Sequence, residues 1–277
     1  MAIIFRCDHC NTRYRVDLEK AGCRAKCRQC GRDLVVPDAK QSDHPVERPR
    51  VKKIRSVTKP VHPVDSRKRR KIADHIESTI GPIDFIFHEL VSEYVQIDVY
   101  RVPPQTNHPY YTLVTSGMSE LPMTVPDGAE ALRYAELMLC LPRTWNLGMD
   151  DFRDERHYWP IRLLKVLARL PHEFQTWLGP GHSVPNGVPP LTYASNTHFC
   201  GAVLMPPLSP PTRFRTLDMG DDEEIHFYAV IPLYADEMEC KVQKGMNYLI
   251  DRLDRAEVNE VIDIQRKNTC KKSWFDW

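Results

Sequence analysis

The chain has 277 residues, 42% of them hydrophobic and 27% charged, a globular composition that can bury a core and is not that of a disordered chain. Its net charge of +1 hides an asymmetry: residues 1–71 carry 20 Lys and Arg against 8 Asp and Glu, a net +12, and residues 72–277 carry 18 against 29, a net −11. No apolar run is long enough to span a bilayer, and Ala2, Ile3, Ile4 and Phe5 before Arg6 are too few for a secretory signal, so the sequence predicts a cytoplasmic protein with no membrane segment.

The chain opens on a cysteine cluster. Cys7 and Cys10 form one CxxC pair, Cys27 and Cys30 a second, and sixteen residues separate them. Two such turns present four thiolates to one tetrahedral ion, which is the pattern of a four-cysteine zinc ribbon. Gly31 follows the second pair and can take the positive φ that such a turn often needs. Short strand-like pieces surround the pairs at residues 3–5, 14–16 and 34–36. A segment this small cannot close a core unaided, so one structural Zn2+ on Cys7, Cys10, Cys27 and Cys30 is expected to hold it together. Iron is the rival for four thiolates, but few aromatic residues here would shield a redox centre. His9 and the extra Cys23 are left out of the ligand set.

Residues 1–37 as a whole resemble a small bacterial zinc-ribbon family found at protein N-termini. The resemblance rests on Ile4-Phe5-Arg6-Cys7, Tyr14-Arg15-Val16, Ala21-Gly22, Cys27-Arg28-Gln29-Cys30-Gly31 and Val35-Val36-Pro37. It implies a zinc-binding accessory domain and leaves the target open.

Residues 38–65 read as a flexible basic linker, with Pro45, Pro49, Pro60 and Pro63 and no apolar periodicity. A helix starts near Asp65 or Ser66, either of which can cap it. Arg67, Lys68, Arg69, Arg70 and Lys71 fill its first turns, where positive charge opposes the helix dipole. Beside a zinc ribbon, this run suggests weak nucleic-acid contact through residues 1–71.

The body, residues 66–277, continues that helix through Ile72, Ile76 and Ile80 to a stop at Gly81-Pro82. Strands are predicted at residues 95–99, where Val95, Ile97 and Val99 alternate with Gln96 and Asp98, and then at 110–114 and 135–141. A helix follows over 158–178, with Ile161, Leu164 and Ala168 inward and a break or kink at Pro171. Strands at 199–205 and 225–231 precede a last helix over 235–255, whose buried stripe is Met238, Val242, Met246, Leu249 and Leu253. Cys140 and Cys200 lie in apolar runs and read as small buried hydrophobes. This order predicts an α+β fold, a mixed sheet covered by helices.

No GxSxG, GxGxxG, HExxH or phosphate-cradling glycine loop occurs. Polar residues in apolar or loop context are the remaining site candidates: Asp98, Ser116, Glu136, and His182 and Asn186 in the Gly- and Pro-rich loop 179–187. An enzyme would pair His182 as base with Asp98 or Glu136; a binding module would use the same groups for hydrogen bonds and shape.

Several segments of the body then resemble, in order, the bacterial suppressor of fused domain. They are Tyr110-Tyr-Thr-Leu-Val-Thr-Ser-Gly-Met-Ser119, Ala135-Glu-Leu-Met-Leu-Cys-Leu-Pro142, Trp159-Pro-Ile-Arg-Leu-Leu164, Thr176-Trp-Leu-Gly179, Gly181-His182, Pro185-Asn-Gly187 and Ile231-Pro-Leu-Tyr234. The match covers about residues 75–255; Gln96 departs from it, standing where the family pattern would place His. The resemblance implies binding rather than chemistry. The family's animal members hold a zinc-finger transcription factor by clamping an extended peptide, and several bacterial members look like immunity proteins that neutralise toxins. The expectation is therefore a non-enzymatic protein-binding module of the immunity or antitoxin type, contacting its partner through Asp98, Ser116, Glu136, His182 and Asn186. The alternatives are a nucleic-acid-associated regulator using ribbon and arm, and a hydrolase centred on His182.

Overall fold

The computed structural model describes residues 2–7, 12–17, 20, 22–36, 64–89, 94–148, 150–221 and 223–271. Cys10, His9, Pro37 and the linker from 38 to 63 lie outside the described residues. The chain divides into two compact units, residues 1–57 and 58–277.

The first unit contains two antiparallel hairpins. β1 (Ala2–Arg6) pairs with β2 (Arg13–Asp17), Phe5 opposite Tyr14. β3 (Arg24–Lys26) pairs with β4 (Asp33–Val35), Lys26 opposite Asp33. Between β3 and β4 the chain makes a knuckle: the Gly31 N–H donates to the Cys27 carbonyl at 2.9 Å, with Gly31 at φ 71°. A side chain is disfavoured at that φ, which is why glycine ends the turn. Among the described residues of this unit only Cys7, Cys27 and Val36 are buried. Two of these three are cysteines.

The second unit begins with α1 (Ser66–Thr79), capped by Asp65, whose side chain accepts from the backbone of Arg67 and Lys68. It then builds one eight-stranded sheet from β5 (Phe85–Phe87), β6 (Asp98–Val102), β7 (Tyr110–Ser116), β8 (Ala135–Pro142), β9 (Ser183–Pro185), β10 (Gly201–Met205), β11 (Thr216–Gly220) and β12 (Glu223–Leu233). The strand order is β5-β6-β7-β8-β12-β10-β9, with β11 also paired to β12. Only β8 and β12 run parallel among these pairs; the others are antiparallel.

Alternation along β8 sorts the core. Leu137, Leu139 and Leu141 pack with Trp159, Ile161 and Leu164, while Met138 and Cys140 pack with Ile72, Ile76 and Phe214. A strand covered on both faces reads as a continuous apolar run, as 135–141 does. Cys140 and Cys200 are buried as expected. A third cluster joins Val203, Ile231 and Leu233 to Leu249, Leu253 and Cys270.

Four expectations need correction. β6 starts at Asp98 rather than at Val95, although Val95 and Ile97 are fully buried beside it. α2 (Glu155–Phe174) contains both Pro160 and Pro171 without breaking at either. Pro160 cannot donate to the Arg156 carbonyl, and Asn196 Nδ2 does so instead at 3.1 Å. The helix ends at a left-handed Gln175, φ 51°, short of residue 178. The predicted last helix is two, α3 (Ala235–Lys244) and α4 (Met246–Arg255), divided by Gly245 at φ 88°. Val242, in the first of these helices, is 84% exposed and lies outside the stripe assigned to it.

Candidate functional site

The sulfur atoms of Cys7, Cys27 and Cys30 lie within 4.8 Å of one another. Cys7 and Cys27 are buried, and Cys7 Sγ is 3.8 Å from Cys30 Sγ. One thiol from the end of β1 thus meets two from the β3–β4 knuckle. Convergent soft donors of this kind suit Zn2+. Cys23 is exposed and is not in the group.

Asp98, Ser116 and Glu136 gather at one end of three adjacent strands: Asp98 begins β6, Ser116 ends β7 opposite it, and Glu136 is second in β8. All three are buried, so none offers its side chain at the surface. Glu136 accepts from Thr115 Oγ1 (2.6 Å), the Gly117 N–H (2.9 Å), the Ser119 N–H (3.0 Å) and Ser119 Oγ (2.7 Å). Asp98 accepts from Arg69 Nη1 at 2.5 Å and from the Glu89 N–H at 3.1 Å, with His88 Nδ1 3.2 Å away. These carboxylates are filled acceptors that hold residues 88–89 and 117–119 against the sheet.

The basic run that opens α1 is partly drawn into this same end. Arg69 also donates from Nε to Glu120 Oε1 at 2.7 Å and from Nη2 to the Gln96 carbonyl at 2.5 Å. Lys68 donates to the Ser119 carbonyl at 2.8 Å, pairs with Glu223 and lies over the Tyr134 ring. Lys71 reaches the Met219 carbonyl at 3.0 Å. Three of five cations in the run therefore belong to the body, not to a solvated arm; Arg67 and Arg70 are exposed. Sequence periodicity gave no sign of these roles, because the acceptors lie 27 to 148 residues away along the chain. Burial pushes the Glu120 carboxyl up, against the pull of Arg69.

His182 and Asn186 stand elsewhere, flanking β9, the last strand in the sheet's order. β12 and β10 lie between that strand and β8, which carries Glu136. The His182 ring meets the Trp177 ring edge-on at 4.3 Å between centroids. Burial holds its pKa below the usual value, a hydrogen bond to the Trp177 backbone opposes this, and nearby Lys241 adds to the lowering. Lys241 donates to Ser183 Oγ at 2.8 Å. Asn186 closes the following loop, with Nδ2 donating to the Leu191 carbonyl at 2.7 Å and the Leu191 N–H returning to the Asn186 carbonyl at 2.9 Å. The clasped loop displays Val188, 95% exposed, and Leu191, 66% exposed. A separate cleft of about 460 Å³, lined by Trp145, Arg156, His157, Asn196 and Ile262 among others, includes none of the residues singled out in the sequence.

The geometry brings Asp98, Ser116 and Glu136 together and leaves His182 apart from them, so the pairing of His182 with Asp98 or Glu136 is not made. Among the described residues no helix is long and apolar enough to cross a membrane.

Residues 93–267 match the family model described as Suppressor of fused protein (SUFU). Among solved structures the chain is similar to a suppressor of fused homologue from Neisseria gonorrhoeae, at 14% identity and a TM-score of 0.55, covering 75% of this chain and 99% of that one. It is also similar to a chain of the Sufu–Fu complex, at 13% identity and a TM-score of 0.51, covering 73% of this chain and 92% of that one. Both likenesses are of fold. No curated protein matches in sequence.

Proposed function

The chain belongs to the suppressor of fused family, and we propose from that premise that its body is a non-enzymatic protein-binding module that sequesters a protein partner. The observation that carries this reading is the likeness to a Sufu chain solved together with a protein, Fu. The interior agrees with it: the acids an enzyme would need are filled by structural hydrogen bonds, and His182 has neither of them as orienter. The partner-facing surface of this proposal is the loop region around His182 and Asn186, with Val188 and Leu191 as its exposed apolar tip. Asp98, Ser116 and Glu136 would serve it from inside by holding the sheet end in shape.

The specific version is an immunity protein whose partner is a toxin, acting in the cytoplasm. It draws on the resemblance of the body to bacterial members of the family and on a fold shared with almost the whole of the Neisseria homologue. Co-expression with the products of the neighbouring genes tests it: a product that is toxic alone, with growth rescued and a stable complex formed by this chain, supports the reading, and rescue without complex formation, or no toxic neighbour, rejects it.

The ribbon is proposed to hold one structural Zn2+ on Cys7, Cys10, Cys27 and Cys30. The convergence of Cys7, Cys27 and Cys30 supports this reading. Four thiolates fill a tetrahedral ion and leave no position for a reacting water, so the metal's chemistry here is cross-linking of the two hairpins. A second reading, contact with nucleic acid, is favoured by Arg24, Lys26, Arg28 and Arg32, all exposed on β3 and the knuckle.

A further inference from the structure

Tyr14 lies mid-strand in β2, whereas Cys27 and Arg28 belong to the knuckle between β3 and β4. The Arg28 backbone N–H donates to the Tyr14 hydroxyl oxygen at 2.9 Å. The same oxygen is 3.0 Å from Cys27 Sγ. A phenol has one proton and accepts through its oxygen. The peptide N–H can only donate, so it occupies an acceptor position and leaves the phenolic proton for the second contact. A metal-bound cysteine is a thiolate and has no proton to offer. The bond must then run from the Tyr14 O–H to the Cys27 sulfur.

The result is a relay from backbone amide to phenol to sulfur, polarised in one direction, and hydrogen bonds in such chains strengthen one another. It reaches from the first hairpin to the knuckle of the second, so it orients Cys27 independently of the β3–β4 pairing. A hydrogen bond to a thiolate also draws charge off the sulfur and makes it a poorer nucleophile. Groups that support a metal ligand from behind in this way typically change metal affinity by about 10- to 100-fold. Phenylalanine would fill the same space and supply neither the proton nor an acceptor for the Arg28 N–H.

We infer that Tyr14 is a positioning residue of the metal centre, donating to the Cys27 thiolate so that this ligand is held in place and kept unreactive. The inference rests on the zinc reading above, and its test separates the two. In the full chain, Tyr14→Phe and the wild type are titrated with Zn2+ against a competing chelator, and with Co2+ followed by its thiolate charge-transfer absorption. Zinc affinity should fall by about 10-fold or more, the charge-transfer band should move, and iodoacetamide should alkylate Cys27 sooner in the variant. A variant with wild-type affinity and an unmoved band overturns the role given to Tyr14. Complete loss of the tetrahedral cobalt spectrum in Tyr14→Phe also overturns it, because Tyr14 would then be needed for folding rather than for tuning one ligand. A wild-type chain that binds neither metal rejects the zinc reading itself.

Discussion

Arg69 Nη1 stands 2.5 Å from Asp98 Oδ2, joining the second turn of α1 to the first residue of β6. The same guanidinium reaches Glu120 at 2.7 Å, so one buried cation serves two buried carboxylates. Such a group is not replaceable by a neutral side chain, because both acids would keep their desolvation cost and lose their partner. Arg69→Ala should destabilise the body by about 3–5 kcal/mol, the usual cost of breaking a buried pair from one side. Urea unfolding of the full chain, followed by tryptophan fluorescence, reads this; a loss below about 1 kcal/mol, as for an exposed pair, would show that α1 is not anchored there.

Glu136 makes a sharper test of the structural reading of the sheet end. Glu136→Gln keeps size and one acceptor oxygen but turns an NH2 group toward Thr115 Oγ1, which already takes the Leu137 N–H at 2.8 Å. The expected cost is about 1–3 kcal/mol, that of a buried hydrogen bond left unmade. Partner affinity should be lost only in proportion to unfolding. Affinity lost at full stability would instead mean that Glu136 meets the partner.

Stability should fall as the solution is acidified below about pH 6.5, the ordinary histidine value. His172 donates from Nε2 to the Met118 carbonyl, and His75 does the same to Phe214. Burial lowers the pKa of both, with the carbonyl bond opposing it in each case. The unfolded chain therefore takes up protons that the folded chain refuses, and stability is present above pH 6.5 and lost as pH falls through the folded values. Comparing unfolding at pH 8 and pH 5.5 for the wild type and His172→Gln isolates one group, since Glu120, raised by burial, titrates with the opposite sign. An unchanged pH slope in the variant would count against His172.

Much of the fold was legible in the sequence. The Asp65 cap, the Ile72, Ile76 and Ile80 stripe, and the two-sided apolar run of β8 are local signals that packing did not overrule. Two kinds of feature were not legible. Short strands such as β5 and β9, of three residues each, carry too little pattern to stand out. Pro160 is tolerated because Asn196, thirty-six residues on, serves the carbonyl it frees. The candidate site divided along the same line. Cys27 and Cys30 announce themselves by spacing, whereas Arg69 looked like one more solvated cation because Asp98 and Glu120 are remote in sequence.

The fate of Arg69 also limits any nucleic-acid contact. With Lys68, Arg69 and Lys71 engaged in the body, the binding charge must come from the ribbon, the linker, Arg67 and Arg70. Binding to short duplex DNA should be weak, indifferent to sequence and steeply reduced by salt, because phosphate contacts release counterions. Fluorescence anisotropy from 50 to 200 mM salt is the check. Binding that ignores salt, or that survives removal of residues 1–57 combined with Arg67→Gln and Arg70→Gln, would contradict this assignment.

The binding-module reading meets its most direct test in a calorimetric titration of the partner that co-purifies with the chain, using wild type and His182→Gln. The substitution keeps a neutral hydrogen-bonding side chain beside Trp177 and removes the titratable base. A binding module predicts a saturating heat, both proteins recovered unaltered, and an affinity lowered in the variant by about 1 kcal/mol, the net worth of one hydrogen bond. Heat that persists past saturation as the partner is consumed, and that drops about 10²- to 10⁴-fold in rate with loss of the base, would contradict the account and identify an enzyme centred on His182.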